Sequence, residues 1–398
     1  MIGLLTAIEC VRNGAQVELV DHDGIPGRLA ISNDRYRIVR AFHHGDPELT
    51  AAAARGRRDW ADLERMLGTR FYLRTGVLTV MAEEAIPASL RLLDDVGVPA
   101  REVPAAALPV RYPQLRPAAG QAAVFEPDAA AVLASEALAA LASWLREQPA
   151  ASLRPGSRVT AIGESATVRL DDGSILAGDG VVVAAGPWSA GLLPAGLTAD
   201  LTLLRQTMLT YAPPPAWAGL PAIIGLGQDH GAWLMPPAAG TAARLSAGSA
   251  CRAVPTMTGR VAPDSYRDHL ISRFTAVLAD LDPARVTGAA DSYYLSDAAG
   301  RGPRLTSMGD GATWAYPACG GMSFKIAPLV ARALADRAMG RPPRPAGLDP
   351  IDRPWQFGEG RDHEAARTRS GPERDLLPVQ VPADRRVPRG PVRAERPG

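Results

Sequence analysis

The first 23 residues, MIGLLTAIECVRNGAQVELVDHD, combine two patterns of apolar positions. Apolar residues recur at helical spacing near the start, at Leu4, Ile8 and Val11. They predict an amphipathic helix that ends at Asn13-Gly14. The following residues, 16 to 20 (QVELV), predict a strand that ends at Asp21. A helix and strand in this order are typical of the second half of a βαβ unit.

This half unit has the spacing of a dinucleotide-binding motif. Gly3 occupies the place of the last glycine of G-x-G-x-x-G, and Asp21 follows 18 residues later, close to the ~20 typical of the acid that binds the ribose hydroxyls. The first strand and first two glycines do not precede it. Because that strand is central in such a fold, we expect a gap in the sheet. Two interpretations stay open: a true start upstream of Met1, which we favour, or a compromised protein.

Later segments predict further strands. VVVAAGPWS is apolar without alternation, so it predicts a strand buried on both faces, with a turn through Ala184, Ala185 and Gly186 where small side chains let a ligand approach. A tight strand exit is the alternative. RVTAI (158 to 162) predicts another strand. Three segments separated by Pro and Gly turns predict an antiparallel sheet: LTLLRQTMLTYAPP, GAWLMPP and ARLSAGSACR.

GGMSFKIAPLVARALAD places a glycine pair before a helix. Gly320 and Gly321 would expose backbone N–H groups at the positive end of the helix dipole, which suits a phosphate or a flavin carbonyl oxygen. Simple loop geometry is the alternative. The helix is expected to bury one apolar side, formed by Ile326, Leu329, Val330 and Leu334.

Composition excludes several classes of protein. A chain of 398 residues with 46% hydrophobic residues favours two domains, and the net charge of +1 gives no basic field for nucleic acid. Three scattered cysteines argue against a disulfide framework and a zinc site and fit a reducing cytosol. We find neither a signal peptide nor a run of about 18 apolar residues, so we expect a cytoplasmic protein without membrane association. Residues 358–398, rich in Arg and Pro, are expected to form a disordered tail.

Lys325 is the only lysine among 43 basic Lys and Arg residues. An ammonium is a compact charge on a flexible stem, whereas a guanidinium is a broad planar fork. A cramped site could therefore accept lysine and reject arginine. Chance survival of one lysine is the alternative.

Taken in order, the segments resemble the D-amino-acid-oxidase-like flavoprotein family, and within it monomeric sarcosine oxidase and relatives that act on N-methyl and cyclic secondary amino acids. The resemblance runs to about Phe357. The segments that carry it are AISNDRYRIVRAFHHGD (30 to 46), RFYLRTGVLTV (70 to 80), VFEPDAAAVLASEAL (124 to 138), GDGVVVAAGPWSAGLL (178 to 193) and GDGATWAYPACGGMSFKIAPLVARALAD (309 to 336).

The resemblance implies FAD as cofactor. Ser292 stands where sarcosine oxidase attaches its flavin to a cysteine, so we expect FAD to be bound without a covalent link. The residues that the resemblance and the motifs assign to cofactor binding are Gly3, Asp21, Ser32, Asn33, Arg37, Val159, Ala185, Gly186, Gly320, Gly321, Met322 and Lys325.

The resemblance also implies a catalytic set. Arg40 and Lys325 are expected to bind the carboxylate of a small amino acid or amine, whose carbon then passes hydride to flavin N5. Arg244 matches the lysine that activates O2 in sarcosine oxidase; arginine keeps the charge but holds its proton, so oxidase and dehydrogenase both stay open. For His43 and His44, an acid/base role and a solvated turn are both considered. Candidate wall residues that could equally be core are Tyr293, Tyr294, Trp314 and Met322.

The predicted fold class is α/β: a Rossmann-like FAD domain with an α+β substrate domain that contains a largely antiparallel sheet. Residues 1–46, 130–195 and 290–357 are assigned to the FAD domain, and 47–129 and 196–289 to the substrate domain. Two other functions are weighed against amine oxidation. One is a hydroxy-acid or glycerol-phosphate-type flavin dehydrogenase. The other is a truncated flavoprotein with impaired activity.

Overall fold

The computed structural model describes residues 1–227, 231–298, 305–309, 311–317 and 320–342. The predicted tail, the closing segment LDPIDRPWQF and Cys319 lie outside them. Helices α1 to α8 of the described chain are Ile2–Arg12, Pro47–Leu67, Ile86–Asp95, Leu108–Arg111, Ala134–Arg146, Ala195–Thr198, Asp264–Val277 and Ser323–Ala338.

Strands β1 to β20 of the same residues follow in chain order. They are Val17–Val20, Arg37–Val39, Tyr72–Arg74, Val77–Ala82, Arg101–Val103, Gln121–Glu126, Ala130–Val132, Ala151–Arg154, Val159–Gly163, Thr167–Leu170, Ile175–Ala177, Val181–Val183, Leu201–Tyr211, Ala222–Ile224, Trp233–Met235, Ala243–Ser246, Cys251–Ala253, Val286–Asp297, Thr306–Ser307 and Thr313–Ala315.

The first helix and strand form as the apolar pattern predicts. Helix α1 buries Leu4 and Ile8, and the chain leaves it through Gly14, whose φ of +88° favours glycine. Strand β1 pairs in parallel with β8, and its last residue is followed directly by Asp21. The predicted half βαβ unit is therefore present.

The parallel strands of this region lie in two separate sheets. One contains β1 and β8; the other contains β12, β20 and β19, with β12 and β20 parallel. Within the described residues no strand connects β1 to β12, which agrees with the gap expected from a half unit. The start of α1 spans both sheets, because a Cβ at Gly3 would lie 3.7 Å from Ala184 and 3.8 Å from Leu19.

Strand β12 differs from its prediction. The apolar run indicated burial on both faces, but Val181 and Val182 are only partly buried and Val183 alone is fully buried. The physical reason is that β12 is the edge strand of its sheet and its residues line a large cavity.

The largest sheet of the described chain confirms the predicted antiparallel arrangement. Its strands follow the order β17-β13-β16-β15-β14-β4-β6-β5, and β18 pairs with β13 along its length. Only the β14–β4 pair is parallel. A smaller antiparallel sheet, β2-β7-β3, holds the segment before Arg40. Division of the chain into the two predicted domains stays a prediction.

Helix α8, which carries Lys325, is a central packing element of the fold. Its predicted apolar side is confirmed, since Ile326, Leu329, Val330 and Leu334 are all buried. Helix α2 approaches it so closely that a Cβ at Gly56 would lie 2.2 Å from the Lys325 carbonyl oxygen. Glycine is therefore required at this crossing.

Trp60 of α2 holds the first turn of α8. Its indole N–H donates to the Phe324 carbonyl at 2.9 Å, and the two rings stack with centroids 4.9 Å apart. The backbone next to Lys325 is thus fixed by a hydrogen bond and by aromatic packing.

Candidate functional site

A cavity of about 1680 Å³ lies beside the starts of α1 and α8 and is lined by β1 and β12, which belong to two separate small sheets. Such a volume exceeds the ~300–1,000 Å³ of most small-molecule sites and can hold an extended ligand. Its lining includes nine of the residues assigned to the cofactor from sequence: Gly3, Asp21, Ser32, Arg37, Val159, Ala185, Gly186, Gly320 and Gly321.

Three other assigned residues lie outside this lining. The Asn33 side chain donates to the Gly27 carbonyl at 3.0 Å, so it supports a loop. Met322 and Lys325 contact each other instead, with 3.6 Å between Lys325 Nζ and Met322 Sδ. The structure thus places these three beside the cavity wall rather than on it.

Two helix starts supply the cavity with positive dipole ends. Helix α1 begins at Ile2, where the terminal amine of Met1 donates to Ser32 Oγ at 3.4 Å. Helix α8 begins at Ser323 after Gly320, whose φ is +47°, and Gly321. Backbone N–H groups at such positions bind anions.

Asp21 lines the same cavity, directly after strand β1. Its Oδ1 accepts the backbone N–H of Asp23 at 2.9 Å and lies 3.5 Å from His22 Nδ1. The imidazole of His22 packs against Trp188, with ring centroids 4.7 Å apart. The acid is therefore oriented by its own loop at the end of β1, as the dinucleotide motif requires.

Arg40 belongs to a buried group of charges next to α8. Its side chain is 6% exposed, and Glu126 at the end of β6 is completely buried. The carboxylate accepts the backbone N–H groups of Ala41 and Phe42, at 2.9 and 3.2 Å. Burial raises the pKa of Glu126, and the charge of Arg40 opposes this increase. Glu126 therefore fixes the turn that follows Arg40.

Lys325 and His43 belong to the same group. Lys325 is 9% exposed, and His43 is 2% exposed. Burial first, then the charges of Arg40 and Lys325, hold the pKa of His43 well below its usual value. The charges of the two predicted carboxylate-binding residues thus both lower the pKa of the same buried imidazole. His44, in contrast, is exposed, as the solvated-turn alternative predicts.

Arg244 lies elsewhere, on β16. Its guanidinium donates to Asp34 Oδ1 at 2.8 Å and to Thr210 Oγ1 at 2.8 Å. Both side chains of the ion pair are largely buried, at 14% and 11% exposure. Arg244 thus carries a neutralised charge that ties β16 to the loop before β2.

The other candidate wall residues have structural contacts. The Tyr293 hydroxyl donates to the Gly259 carbonyl at 3.0 Å, and the Tyr294 hydroxyl lies 3.3 Å from Cys251 Sγ. The Trp314 indole N–H donates to the Gly311 carbonyl at 3.3 Å. These bonds support the core interpretation of all three residues.

Sequence reasoning missed Glu126, Asp34 and Gly56. Each contacts a residue far away in the chain. Glu126 accepts a hydrogen bond from Ala41, 85 residues away, and Asp34 accepts one from Arg244, 210 residues away. Gly56 lies against the backbone of Lys325. A carboxylate in the apolar run VFE was the only local signal for any of them.

The chain belongs to the FAD-dependent oxidoreductase family. Residues 1–337 match the family described as "DAO: FAD dependent oxidoreductase". The cofactor of this family is FAD, and the chain is an oxidoreductase of that class. A search of curated protein sequences found no match.

Solved structures show the same fold. NikD, described as an unusual amino acid oxidase essential for nikkomycin biosynthesis, has a TM-score of 0.72 at 19% identity and covers 88% of this chain and 94% of its own. Glycine oxidase from Geobacillus kaustophilus has a TM-score of 0.73 at 17% identity, and L-proline dehydrogenase from P. horikoshii 0.73 at 18%. Each of these two covers 90% of this chain and 96% of its own.

The cavity fits FAD by its donor set. It has helix starts for phosphate groups at two places and an acid for the ribose at a third. At Gly3 a Cβ would already contact Ala184, so a larger side chain would fill the space beside the helix start.

None of the described helices is long and apolar enough to cross a membrane.

Proposed function

We propose that this protein oxidises a C–N bond in an amino acid, or in a secondary or cyclic amine, that carries a carboxylate. One observation carries the proposal: Arg40 and Lys325 are both more than nine-tenths buried, and the charges of both lower the pKa of the same buried histidine, His43. Arg57 is also buried and adjacent to Glu126, the carboxylate of this group. A substrate carboxylate is the ligand that Arg40 and Lys325 would bind together, through charge-assisted hydrogen bonds.

Bound FAD supplies the hydride acceptor, flavin N5, for such an oxidation. We assign its binding to the cavity residues, through the helix starts at Gly3 and Gly320-Gly321 and through Asp21 at the ribose. Ser292 in place of a cysteine supports binding without a covalent link. Val159, Ala185 and Gly186 would contact the cofactor by backbone.

Arg40 and Lys325 would bind and orient the substrate carboxylate. Arginine offers a bidentate fork and lysine a compact charge, so the pair can fix both the position and the rotation of the carboxylate. Glu126 holds the turn after Arg40, and Gly56 lets α2 support the backbone of Lys325. The site is therefore rigid before the substrate binds.

The same positive charges prepare the substrate nitrogen. An amine must be neutral to lose hydride from its carbon, and cations nearby disfavour the ammonium form. Arg40 and Lys325 would thus lower the pKa of the bound amine while they bind its carboxylate. The imine product then hydrolyses or tautomerises.

Other features support narrower parts of the proposal. The neighbours named as amino acid oxidase, glycine oxidase and proline dehydrogenase favour an amine over a hydroxy acid as substrate, and a hydroxy-acid or glycerol-phosphate-type dehydrogenase is the second candidate. Within the described residues no strand lies between β1 and β12, so a flavoprotein with impaired FAD binding is the third candidate. O2 is one candidate electron acceptor, and a cytoplasmic location is proposed from composition.

An anaerobic reduction screen tests the proposal. FAD-loaded protein is mixed without oxygen with N-methyl, cyclic and primary amino acids, with their decarboxylated amines and with hydroxy acids. Bleaching of the flavin by amino acids but not by hydroxy acids is expected. Reduction by hydroxy acids alone would support the second candidate, and folded protein that binds no FAD would support the third.

A further inference from the structure

His43 has a fixed tautomer. Its Nδ1 lies 2.9 Å from the Ala41 carbonyl oxygen, which can only accept a hydrogen bond. Nδ1 must therefore carry the proton, and Nε2 presents a lone pair. The backbone N–H of His43 donates to Thr50 Oγ1 at 3.1 Å, so the backbone of this residue is held by the first turn of α2.

The lone pair of Nε2 has no hydrogen-bond partner among the described residues, although the atom is buried. A buried polar atom in this state costs about 1–3 kcal/mol in general, and native proteins retain few of them. Burial and the charges of Arg40 and Lys325 lower the pKa of the ring, so they disfavour protonation as a way to remove this cost. Within the described part of the chain, His43 Nε2 is thus a buried acceptor without a donor.

We propose that His43 Nε2 accepts a hydrogen bond from the N–H of the substrate amine, and that the site thereby selects primary and secondary amines over tertiary ones. This inference rests on the proposed function, because it uses a substrate held by Arg40 and Lys325. The contact differs from acid/base catalysis, since no proton is transferred to the ring. The contact favours a substrate whose nitrogen bears a hydrogen atom, and it orients the lone pair of that nitrogen away from the histidine.

Two unreactive ligands measure this contact without turnover. Pyrrole-2-carboxylate and 2-furoate are planar ring carboxylates that differ in having an N–H or an oxygen next to the substituted carbon. Both would bind through the carboxylate, but only the pyrrole can donate to Nε2. Dissociation constants are obtained from the change in flavin absorption when FAD-loaded protein is titrated with each ligand.

We expect the unmodified protein to bind the pyrrole roughly three- to tenfold more tightly than the furoate, as one hydrogen bond allows. His43→Leu should bring this ratio close to one. His43→Gln, whose amide oxygen can accept, should restore part of the preference. His44→Leu, a change of the exposed neighbour, should keep the full ratio.

The outcomes separate the two proposals. Equal binding of both ligands by the unmodified protein, or an unchanged preference in His43→Leu, would overturn the role of His43 alone. Failure of the unmodified protein to bind either ligand would overturn the carboxylate site and the role of His43 with it. If His43→Leu does not retain FAD, the unmodified protein and His43→Gln decide. A preference for the pyrrole that is smaller in His43→Gln supports the contact, and an identical preference in both proteins overturns it.

Discussion

The two ends of the proposed site differ in how the chain supports them. Around Arg40 and Lys325 the support is internal: Glu126 holds one backbone turn, and Gly56 and Trp60 fix the other. Around the nucleotide end, β1 and β12 each pair on one side and line a cavity on the other. The carboxylate end is thus organised by packing, whereas the nucleotide end depends on what fills the cavity.

The largest expected effect tests the carboxylate end through its single lysine. Lys325→Met removes a charge from the site, and Lys325→Arg keeps the charge but changes its shape. A charge-assisted bond contributes about 1.5–3 kcal/mol, and misplacement of the substrate adds to its loss. We expect flavin reduction under anaerobic conditions to slow roughly ten- to a thousandfold, more in Lys325→Met than in Lys325→Arg.

A decarboxylated amine is the matched control for both lysine variants. The rate at which this amine reduces the flavin should fall much less, because the amine has no carboxylate that Lys325 could bind. The FAD content of both variants should stay near normal. If Lys325→Arg is reduced at the original rate by every carboxylate substrate, the lysine is a chance survivor and binding rests on Arg40.

This contrast also explains which parts of the fold and of the site could be predicted from the sequence. Helix α1, strand β1 and the buried side of α8 follow from local periodicity, so they could be predicted from a few neighbouring residues. Arg40 and Lys325 came from motif resemblance, and the structure brings them together around His43. The bonds of Glu126 to Ala41 and of Asp34 to Arg244 join distant segments, so no local pattern indicates them.

The support beneath Lys325 can be weakened by one methyl group. Gly56→Ala would place a Cβ 2.2 Å from the Lys325 carbonyl oxygen, a backbone atom that cannot move unless α2 and α8 separate. We expect a loss of about 1–3 kcal/mol in the free energy of unfolding, measured by urea denaturation. Gly196→Ala is the control, because a Cβ there meets nothing within 4 Å. Equal losses in the two variants would contradict a close helix crossing.

The neutral state of His43 gives the carboxylate end a pH dependence. Burial lowers the pKa of the folded-state imidazole below 6.5. As the pH falls through 6.5 the unfolded chain gains a proton that the folded chain does not, so folding stability decreases toward acid.

His43→Gln removes this contribution while the other titrating groups remain. Between about pH 7.5 and 5, unmodified protein should lose up to about 2 kcal/mol more unfolding free energy than the variant, at ~1.36 kcal/mol per pH unit below 6.5. Urea midpoints at the two pH values measure the difference. Parallel losses would show that His43 titrates normally in the folded protein.

The nucleotide end can be strengthened by an added strand. A short apolar segment that ends in Gly-x-Gly, fused ahead of Met1, would enter the cavity between β1 and β12 and pair with the open side of each. It would also bring glycine N–H groups to the start of α1, where phosphate is expected to bind. We expect FAD to bind about tenfold more tightly, equivalent to about 1.4 kcal/mol, as measured by quenching of flavin fluorescence.

A fusion with proline within the same strand is the matched control, because proline removes a ladder donor and disfavours a central strand. It should bind FAD no better than the original chain. Equal affinity of the original chain and the apolar fusion would mean that the cavity between the sheets adds nothing to the cofactor site. The nucleotide end would then need no added strand to bind FAD, and it would differ from the carboxylate end only in its strand pairing.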